Sequence, residues 1–296
     1  MTFILDTIKG VFIGIANVIP GVSGGTMAVS LGIYDKLIAS ISNLLKNWKK
    51  SLSTLLPILL GCGIGIVGFT YAIEFLLSKY TFVTCMAFVG LILGGIPVLV
   101  KSLRKSLHNS GSSIGFSGAA AFLALFAVAV FLPMLNSDTE VLKTFTPTAG
   151  TMISLFLVGV IASATMVVPG VSGSLVMMIL GYYYGILEAV KSFMEALKNM
   201  DMAGLMNGCM LLVPFGIGVL LGIFLIAKLI TFLFERYGVQ TYCAILGLIA
   251  ASPIAIFYNT GLFEQLSSLK AGTVLIGIVL AIAGAVVTRY LGEKSA

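Results

Sequence analysis

The chain has 296 residues, of which 59% are hydrophobic and only 9% are charged, and its formal net charge is +6. A water-soluble domain of this length carries about a quarter charged residues, so the composition excludes a soluble globular protein and indicates an integral membrane protein. The basic residues lie in short clusters between apolar segments, which is typical of cytoplasmic loops and argues against a nucleic-acid partner.

Eight apolar segments follow one another along the chain. Six of them are long enough to cross a bilayer, which takes about 20 residues. These six cover residues 52–77, 81–100, 114–135, 208–234, 239–260 and 271–291. The other two, residues 8–38 and 148–187, are each interrupted in the middle by a proline, glycines and serines. Because only short polar loops separate the segments, we predict a single polytopic membrane domain over residues 1–296.

The two interrupted segments carry nearly the same sequence. "NVIPGVSGGTMAVSLGIY" begins at Asn17, and "MVVPGVSGSLVMMILGYY" begins at Met166, so that the shared PGVSG motifs are 149 residues apart. An offset of 157 then aligns the following spans, including Gly61 with Gly218, and one eight-residue insertion accounts for both offsets. We infer an internal duplication, with repeat 1 over residues 1–135 and repeat 2 over residues 148–291.

Charge predicts the orientation of the segments. One basic cluster precedes the span 52–77 and another follows the span 81–100, so the positive-inside rule places both on the cytoplasmic side. These clusters are formed by Lys46, Lys49 and Lys50 and by Lys101, Arg104 and Lys105. Residues 188–207 carry a net charge of −1, which suits the outside and requires the interrupted segments to enter and leave on one side.

This orientation predicts the fold class, an all-α integral membrane protein built from two inverted repeats. Each repeat contains one re-entrant broken-helix hairpin and three transmembrane helices, and that odd number of crossings inserts the second repeat upside down. Both termini then lie in the cytoplasm. Inverted repeats with interrupted helices near the bilayer midplane are typical of secondary transporters.

The interrupted motif can bind an anion. Proline ends a half-helix, glycines permit a sharp turn, and the amide groups at the start of the next helix attract a phosphate or carboxylate. Ser23 and Ser172 are placed either to cap these helices or to bond the ligand. The candidate residues are Asn17, Pro20, Gly21, Ser23, Gly24, Gly25, Thr26, Pro169, Gly170, Ser172, Gly173 and Ser174. The alternative is that the motifs are only tight bends with close-packing glycines.

Four charged residues near the apolar segments are further candidates for contact with an anionic head group or for ion coupling: Asp35, Glu74, Lys228 and Arg289. A surface ion pair explains Asp35 equally well, and snorkelling to the interface is the favoured explanation for the other three. His108 is the only histidine, and the four cysteines lie in apolar segments without a CxxC pair. We therefore expect no metal site, no cofactor and no catalytic residue.

Nearly the whole chain resembles the bacterial and archaeal polyprenyl-phosphate transporter family formerly catalogued as domain of unknown function 368. The resemblance rests on "NVIPGVSGGTMAVSLGIYDKLI", "MVVPGVSGSLVMMILGYYYGIL" and the paired "GLILGGIP" and "GLIAASP". It implies a protein of the cytoplasmic membrane that translocates undecaprenyl phosphate from the outer to the inner leaflet, which recycles the lipid carrier of cell-wall synthesis. The family pattern favours an acidic residue after the Gly-x-Tyr of each motif; Asp35 fits, but Tyr184 departs from it.

Three functions stay open at this point. A transporter without a Walker motif must use a proton or sodium gradient, or the gradient of the lipid itself. A polyprenyl-diphosphate phosphatase-like enzyme also fits the architecture, but hydrolysis needs a carboxylate and an arginine, often with histidine or a metal, and neither motif contains them. A carrier or channel for a small inorganic anion fits the motifs as well as a lipid phosphate does.

Overall fold

A computed structural model of the protein describes residues 2–19, 22–111, 113–135 and 145–293. Throughout these ranges the regular elements are helices, and no strand occurs in them. The predicted all-α class is therefore confirmed for the described part of the chain.

The described residues of the first half of the chain contain six α-helices. They are α1 (Thr2–Val18), α2 (Gly24–Ser30), α3 (Tyr34–Ser42), α4 (Trp48–Leu93), α5 (Ile96–Ser110) and α6 (Phe116–Phe131). The described residues of the second half contain six more α-helices. They are α7 (Ala149–Val167), α8 (Gly173–Ile179), α9 (Tyr183–Lys198), α10 (Met202–Asn259), α11 (Leu262–Gln265) and α12 (Ala271–Glu293).

Five helical stretches in the described ranges are long and apolar enough to cross a membrane. They cover Trp48–Asn109, Phe116–Met134, Ala149–Val167, Met202–Asn259 and Ala271–Glu293. The number rises to six if α8 and α9, which meet at 107° across a short break, count as one bent span. The chain is therefore a multi-pass membrane protein, as its composition indicates.

Each of the two longest stretches has a bend, and the non-helical residue at each bend is a tyrosine. Tyr80 in α4 has φ −133° and ψ 42°, outside the helical region. Next to it, the Thr84 hydroxyl lies 3.3 Å from the Leu76 carbonyl oxygen. Eight residues of straight helix rise about 12 Å, so this contact requires a sharp bend. The bend separates α4 into two arms. The first corresponds to the predicted span 52–77, and the second to residues 81–93 of the predicted span 81–100, whose remainder continues into α5.

The same bend occurs in α10. Tyr237 also has φ −133° and ψ 42°, and the Thr241 hydroxyl lies 3.1 Å from the Leu233 carbonyl oxygen. Each of these three residues is 157 positions after its counterpart in α4, the offset that the sequence comparison gives. The two arms of α10 correspond to the predicted spans 208–234 and 239–260.

One predicted loop is wrong. The basic residues that follow the span 81–100 do not lie in a loop, because the chain resumes as α5 after a two-residue break at Gly94 and Gly95. Pro97 lies in the first turn of α5, where its missing N–H costs no hydrogen bond. Helix α5 therefore presents its lysines at fixed spacing along one face.

Glycines bring α1 into backbone contact with the first arm of α4. A Cβ atom on Gly10 would lie 2.3 Å from the Ile58 carbonyl oxygen, and one on Gly61 would lie 2.0 Å from that of Thr7. Small residues of this kind let membrane helices approach closely.

Helix α7 packs on the first arm of α10 in the same way. A Cβ atom on Gly159 would lie 2.4 Å from the Phe215 carbonyl oxygen, and one on Gly218 would lie 2.1 Å from that of Phe156. These residues are the counterparts of the α1–α4 contacts at the offsets of 149 and 157. The two copies thus share their internal packing as well as their sequence.

The chain forms two compact units. The first comprises Met1–Pro133, Val168–Val171 and Ala227–Ala296, and the second comprises Met134–Val167 and Ser172–Ile226. In the first unit, α12 packs on the second arm of α4 where a Cβ atom on Gly90 would lie 1.9 Å from the Ala281 carbonyl oxygen. The core of the second unit is formed by Leu155, Val158, Ile186 and Leu211.

Candidate functional site

The first motif is held by a serine cap at the start of α2. The Ser23 hydroxyl accepts a hydrogen bond from the Thr26 amide at 3.3 Å, and Ser23 is buried. This is the capping role that the sequence offers as one alternative for Ser23. Pro20 and Gly21, two further predicted site residues, lie outside the described residues.

Asn17 also contacts the start of α2. Its side-chain oxygen accepts a hydrogen bond from the Gly24 amide at 3.3 Å, and its amide nitrogen donates to the Ile13 carbonyl at 2.9 Å. Asn17 thus joins the end of α1 to the first residue of α2. Gly25, in the first turn of α2, is half-buried.

Two predicted site residues from different motifs are in direct contact. The Gly170 amide donates a hydrogen bond of 2.6 Å to the hydroxyl oxygen of Thr26, 144 positions earlier in the chain. Gly170 has φ +77°, a left-handed conformation that favours glycine. Its neighbour Pro169 is buried. The opening of the second motif therefore lies against α2.

Ser172 behaves differently from Ser23. It makes no side-chain cap at the start of α8, and its hydroxyl lies 2.8 Å from that of Ser174. Gly173 is buried, and a Cβ atom there would lie 2.2 Å from Cγ of Met166 and 2.6 Å from the Ala162 carbonyl oxygen. The second motif thus has close packing where the first has a capping network.

A buried lysine at the C-terminal end of α2 was not among the residues predicted from the sequence. Lys9 in α1 is fully buried, and its Nζ donates a hydrogen bond of 2.9 Å to the Leu31 carbonyl at the C-terminal end of α2. One turn earlier, Asp6 pairs with Lys36 of α3 at 2.6 Å. Lys9 stabilises the C-terminal end of the short helix, where a positive charge is favourable. The sequence feature that could have indicated this buried lysine is its position in an apolar helix, three residues after Asp6.

A large polar cavity lies in the first unit, between α3, α5 and the bend of α10. Its volume is about 1180 Å³. Four cations and two carboxylates line it: Lys36, Lys101, Lys105, Arg236, Asp35 and Glu235. Of these, only Asp35 was among the candidate site residues from the sequence. Lys101 and Lys105 were interpreted only as residues of a cytoplasmic loop, because α5 was not predicted as a helix.

Asp35 is fixed at one wall of this cavity. The Tyr242 hydroxyl donates a hydrogen bond of 2.9 Å to its carboxylate, and Phe234 packs against the Tyr242 ring at 5.0 Å between centroids. Helix α3 is not one of the candidate membrane spans. The surrounding protein desolvates the Asp35 carboxyl and raises its pKa above the ordinary value, while the hydrogen bond from Tyr242 works in the opposite direction.

The other three charged candidates lie elsewhere. Glu74 is exposed and Lys228 is half-buried, while Arg289 pairs with Glu293 one turn away at 3.0 Å. None of the three lines the cavity beside Asp35.

The second unit contains a smaller cavity of about 450 Å³ between α9 and the start of α10. Its charged lining residues are all acidic: Glu188, Glu195 and Asp201. In the described residues, no group of three or more His, Cys, Asp or Glu side chains is arranged to hold a metal ion.

The chain is similar in sequence to one described family and to two named transporters. The sequence model of the VCA0040-like family, described as undecaprenyl phosphate translocase-like, matches residues 13–274. A polyprenyl-phosphate transporter of Staphylococcus aureus (strain NCTC 8325 / PS 47) is 29% identical over 296 residues, covering 99% of this chain and 97% of the relative. A polyprenyl-phosphate transporter of Vibrio cholerae serotype O1 is 29% identical over 262 residues, covering 84% and 75% respectively. No solved structure gives a significant match.

Proposed function

This chain belongs to the VCA0040-like family of undecaprenyl phosphate translocase-like proteins, and on that basis we propose that it moves a polyprenyl phosphate across the membrane. The direction is from the outer to the inner leaflet of a bacterial or archaeal cytoplasmic membrane, and the lipid is undecaprenyl phosphate. Two relatives named polyprenyl-phosphate transporter, which align with most of this chain, support the substrate class.

We propose that the two repeats are inserted with opposite orientations and that both termini are cytoplasmic. The repeated bends at Tyr80 and Tyr237 and the repeated glycine contacts of α1 and α7 support a duplicated unit. The basic residues before α4 and on α5 support the orientation by the positive-inside rule. Inverted repeats supply a symmetric alternating-access mechanism, in which each repeat rocks against the other.

The head group binds at the two PGVSG motifs in this proposal. The observation that carries it is the hydrogen bond from the Gly170 amide to Thr26, which brings the opening of the second motif against the helix that follows the first. Backbone amides at interrupted helices, together with hydroxyl groups, suit a phosphate monoester. The proposed contacts come from Asn17, Pro20, Gly21, Ser23, Gly24, Gly25, Thr26, Pro169, Gly170, Ser172, Gly173 and Ser174.

Only the head group has to cross the apolar core, because the isoprenoid tail is compatible with the bilayer throughout. A charged phosphate in hydrocarbon is costly, so a polar path inside the protein lowers the barrier. We propose that a proton or sodium gradient drives net movement, with Asp35 as the titratable group beside the first motif. Transport is favoured over phosphatase activity because neither PGVSG sequence contains a carboxylate, arginine or histidine.

Leaflet exchange in proteoliposomes tests this function. The purified protein is reconstituted with a fluorescent polyprenyl phosphate, and a membrane-impermeant quencher reports which leaflet holds the label, with and without a pH gradient. Exchange well above protein-free liposomes is expected for the phosphate, and none for the matching uncharged polyprenol. Equal exchange of both lipids would contradict head-group recognition. Release of inorganic phosphate from a polyprenyl diphosphate would instead identify an enzyme.

A further inference from the structure

We propose that the cavity beside Asp35 in the first unit is a second binding site for the phosphate-monoester head group, separate from the PGVSG motifs. The naming of its ligand as a polyprenyl phosphate rests on the proposed function. The recognition of a phosphate monoester on an apolar chain follows from the lining of the cavity.

One wall is a polar face of α5. Lys101, Lys105 and Asn109 follow one another at intervals of four residues, so they lie along one side of the helix and line the cavity together. Arg104 lies between them in the sequence and does not line the cavity. The two lysines are therefore placed by the helical period, and they are not simply members of a basic loop.

A second wall comes from the bend of α10. Arg236 and Glu235 line the cavity directly before the non-helical residue Tyr237. After the bend, the Gln240 side chain donates a hydrogen bond of 3.2 Å to the hydroxyl of Ser117 at the start of α6. This contact fixes the bend of α10 against α6, so that Arg236 faces the same cavity as the lysines of α5.

The charged lining of this cavity is positive on balance, because four cations face two carboxylates. Between described residues, the ion pairs within 4.0 Å are Lys36 with Asp6 and Arg289 with Glu293. Lys101, Lys105 and Arg236 take no part in either pair, and the carboxylate of Asp35 accepts from Tyr242 instead. These three cations outnumber the two carboxylates in the lining. The excess of positive charge suits a phosphate group, which accepts several charge-assisted hydrogen bonds.

The cavity also has room for an apolar group. Its volume of about 1180 Å³ exceeds the roughly 300–1,000 Å³ of typical small-molecule pockets. Beside the charges, its lining includes Val98, Leu99 and Val239. A mixed lining of this kind favours an amphiphile over free inorganic phosphate.

Its location relates the cavity to the first motif. Val29, Gly32 and Tyr34, which follow the motif directly, form part of the cavity wall. Helix α2 has seven residues and is therefore about 10 Å long, so that a head group at the motif has one short helix to pass. The α5 lysines belong to the side that the positive-inside rule assigns to the cytoplasm. The cavity is thus the cytoplasmic binding site that the head group occupies before it leaves.

Site-resolved photolabelling tests this inference with the full-length protein in detergent. The probe is farnesyl phosphate with a diazirine next to the head group, and the labelled peptides are identified by mass spectrometry. We expect labelling in residues 98–118 and 231–242, with an uncharged farnesol diazirine labelling these peptides at least tenfold less. The triple variant Lys101→Gln, Lys105→Gln, Arg236→Gln should lower the labelling about tenfold or more, because it removes three charge-assisted contacts to the phosphate.

The matched control is Lys46→Gln, Lys49→Gln, Lys50→Gln, which removes the same charge from residues that do not line the cavity. Its labelling should stay within about twofold of the wild type, since distant exposed charges are screened. Arg104→Gln against Lys105→Gln repeats the comparison within one helix, and melting temperatures verify that every variant is folded. Equal losses in the cavity variant and its control would overturn the inference, as would unlabelled cavity peptides in the wild type.

Further outcomes distinguish free phosphate from a lipid phosphate as the ligand, and the proposed transport from the proposed second binding site. If inorganic phosphate competes as well as unlabelled farnesyl phosphate, the site is one for free phosphate and the lipid assignment is wrong. If the cavity is labelled but the wild type shows no leaflet exchange, the proposed transport fails and the binding site stands. Exchange without cavity labelling would remove the second site and leave transport in place.

Discussion

The two copies of the PGVSG motif have the same sequence but different surroundings. In the first copy, buried Ser23 caps α2, and Asn17 accepts a hydrogen bond from Gly24. In the second copy, Ser172 bonds Ser174 and caps nothing, and the residue at the position of Asn17 is Met166, which packs against Gly173. Identical motifs therefore do not determine hydrogen bonding on their own, because their neighbours decide which partners are within reach.

The same asymmetry continues beyond the motifs. Asp35 lines a basic cavity and accepts a hydrogen bond from Tyr242, whereas its counterpart Tyr184 packs edge-on against Tyr183 at 5.3 Å between ring centroids. The two copies therefore differ in their polar contacts at matched positions. Variants at matched positions can test these differences.

Exchange of the matched glycines should have the largest effect on stability. Gly173→Ala places a Cβ atom 2.6 Å from the Ala162 carbonyl oxygen, a backbone atom of α7, so we expect a loss of about 3 kcal/mol from overpacking. At Gly24 the nearest atom is Nδ2 of exposed Asn17, at 2.5 Å, and this side chain can move. Gly24→Ala should therefore cost less than about 1 kcal/mol. Thermal unfolding in detergent measures both, and equal losses would remove the distinction between the copies.

Thr26→Val tests the contact between α2 and the second motif. Valine has nearly the same shape but cannot accept the hydrogen bond from the Gly170 amide, so about 2 kcal/mol of stability should be lost and leaflet exchange should slow. The control is Thr165→Val, because that hydroxyl only donates to the Ala162 carbonyl within its own helix. If both valine variants exchange lipid at the wild-type rate, the Thr26–Gly170 contact has no role in transport.

The two serines should then differ by a smaller amount. Ser23→Ala removes a buried cap and should cost about 1 kcal/mol, while Ser172→Ala removes no cap and should stay within about 0.5 kcal/mol. If the hydroxyls also bind the head group, the double variant should exchange lipid more slowly while it stays folded. Wild-type exchange in the double variant would exclude both serines from the binding site.

The sequence predicted the helical class, the breaks at both motifs and the ends of the spans near Tyr80 and Tyr237, because apolar length and proline–glycine interruptions are local properties. It did not predict α5, since a basic segment after a span is read as a loop unless its tertiary partners are known. The burial of Lys9 and the different roles of Ser23 and Ser172 were also out of reach. They depend on contacts between residues that are far apart in the chain, such as Lys9 with Leu31.

The smallest effect on stability is expected for Asp35→Asn. Asp35 and its counterpart Tyr184 should differ in how they make stability and binding depend on pH. The pKa of Asp35 is raised by desolvation, so between the ordinary and the raised pKa the folded protein keeps a proton that the unfolded chain has lost. Over that window the contribution of Asp35 to stability falls as the pH rises, and Asp35→Asn should remove this slope.

Protonation of Asp35 also makes the cavity more positive, so lowering the pH should strengthen labelling by the farnesyl phosphate probe in the wild type. The phosphate titrates near pH 6 in both proteins, and the difference between wild type and Asp35→Asn therefore isolates the carboxylate. Tyr184→Phe serves as the control, with the pH profile of the wild type expected. Identical profiles for all three proteins would show that Asp35 does not titrate with head-group binding, and the coupling group would have to be sought elsewhere.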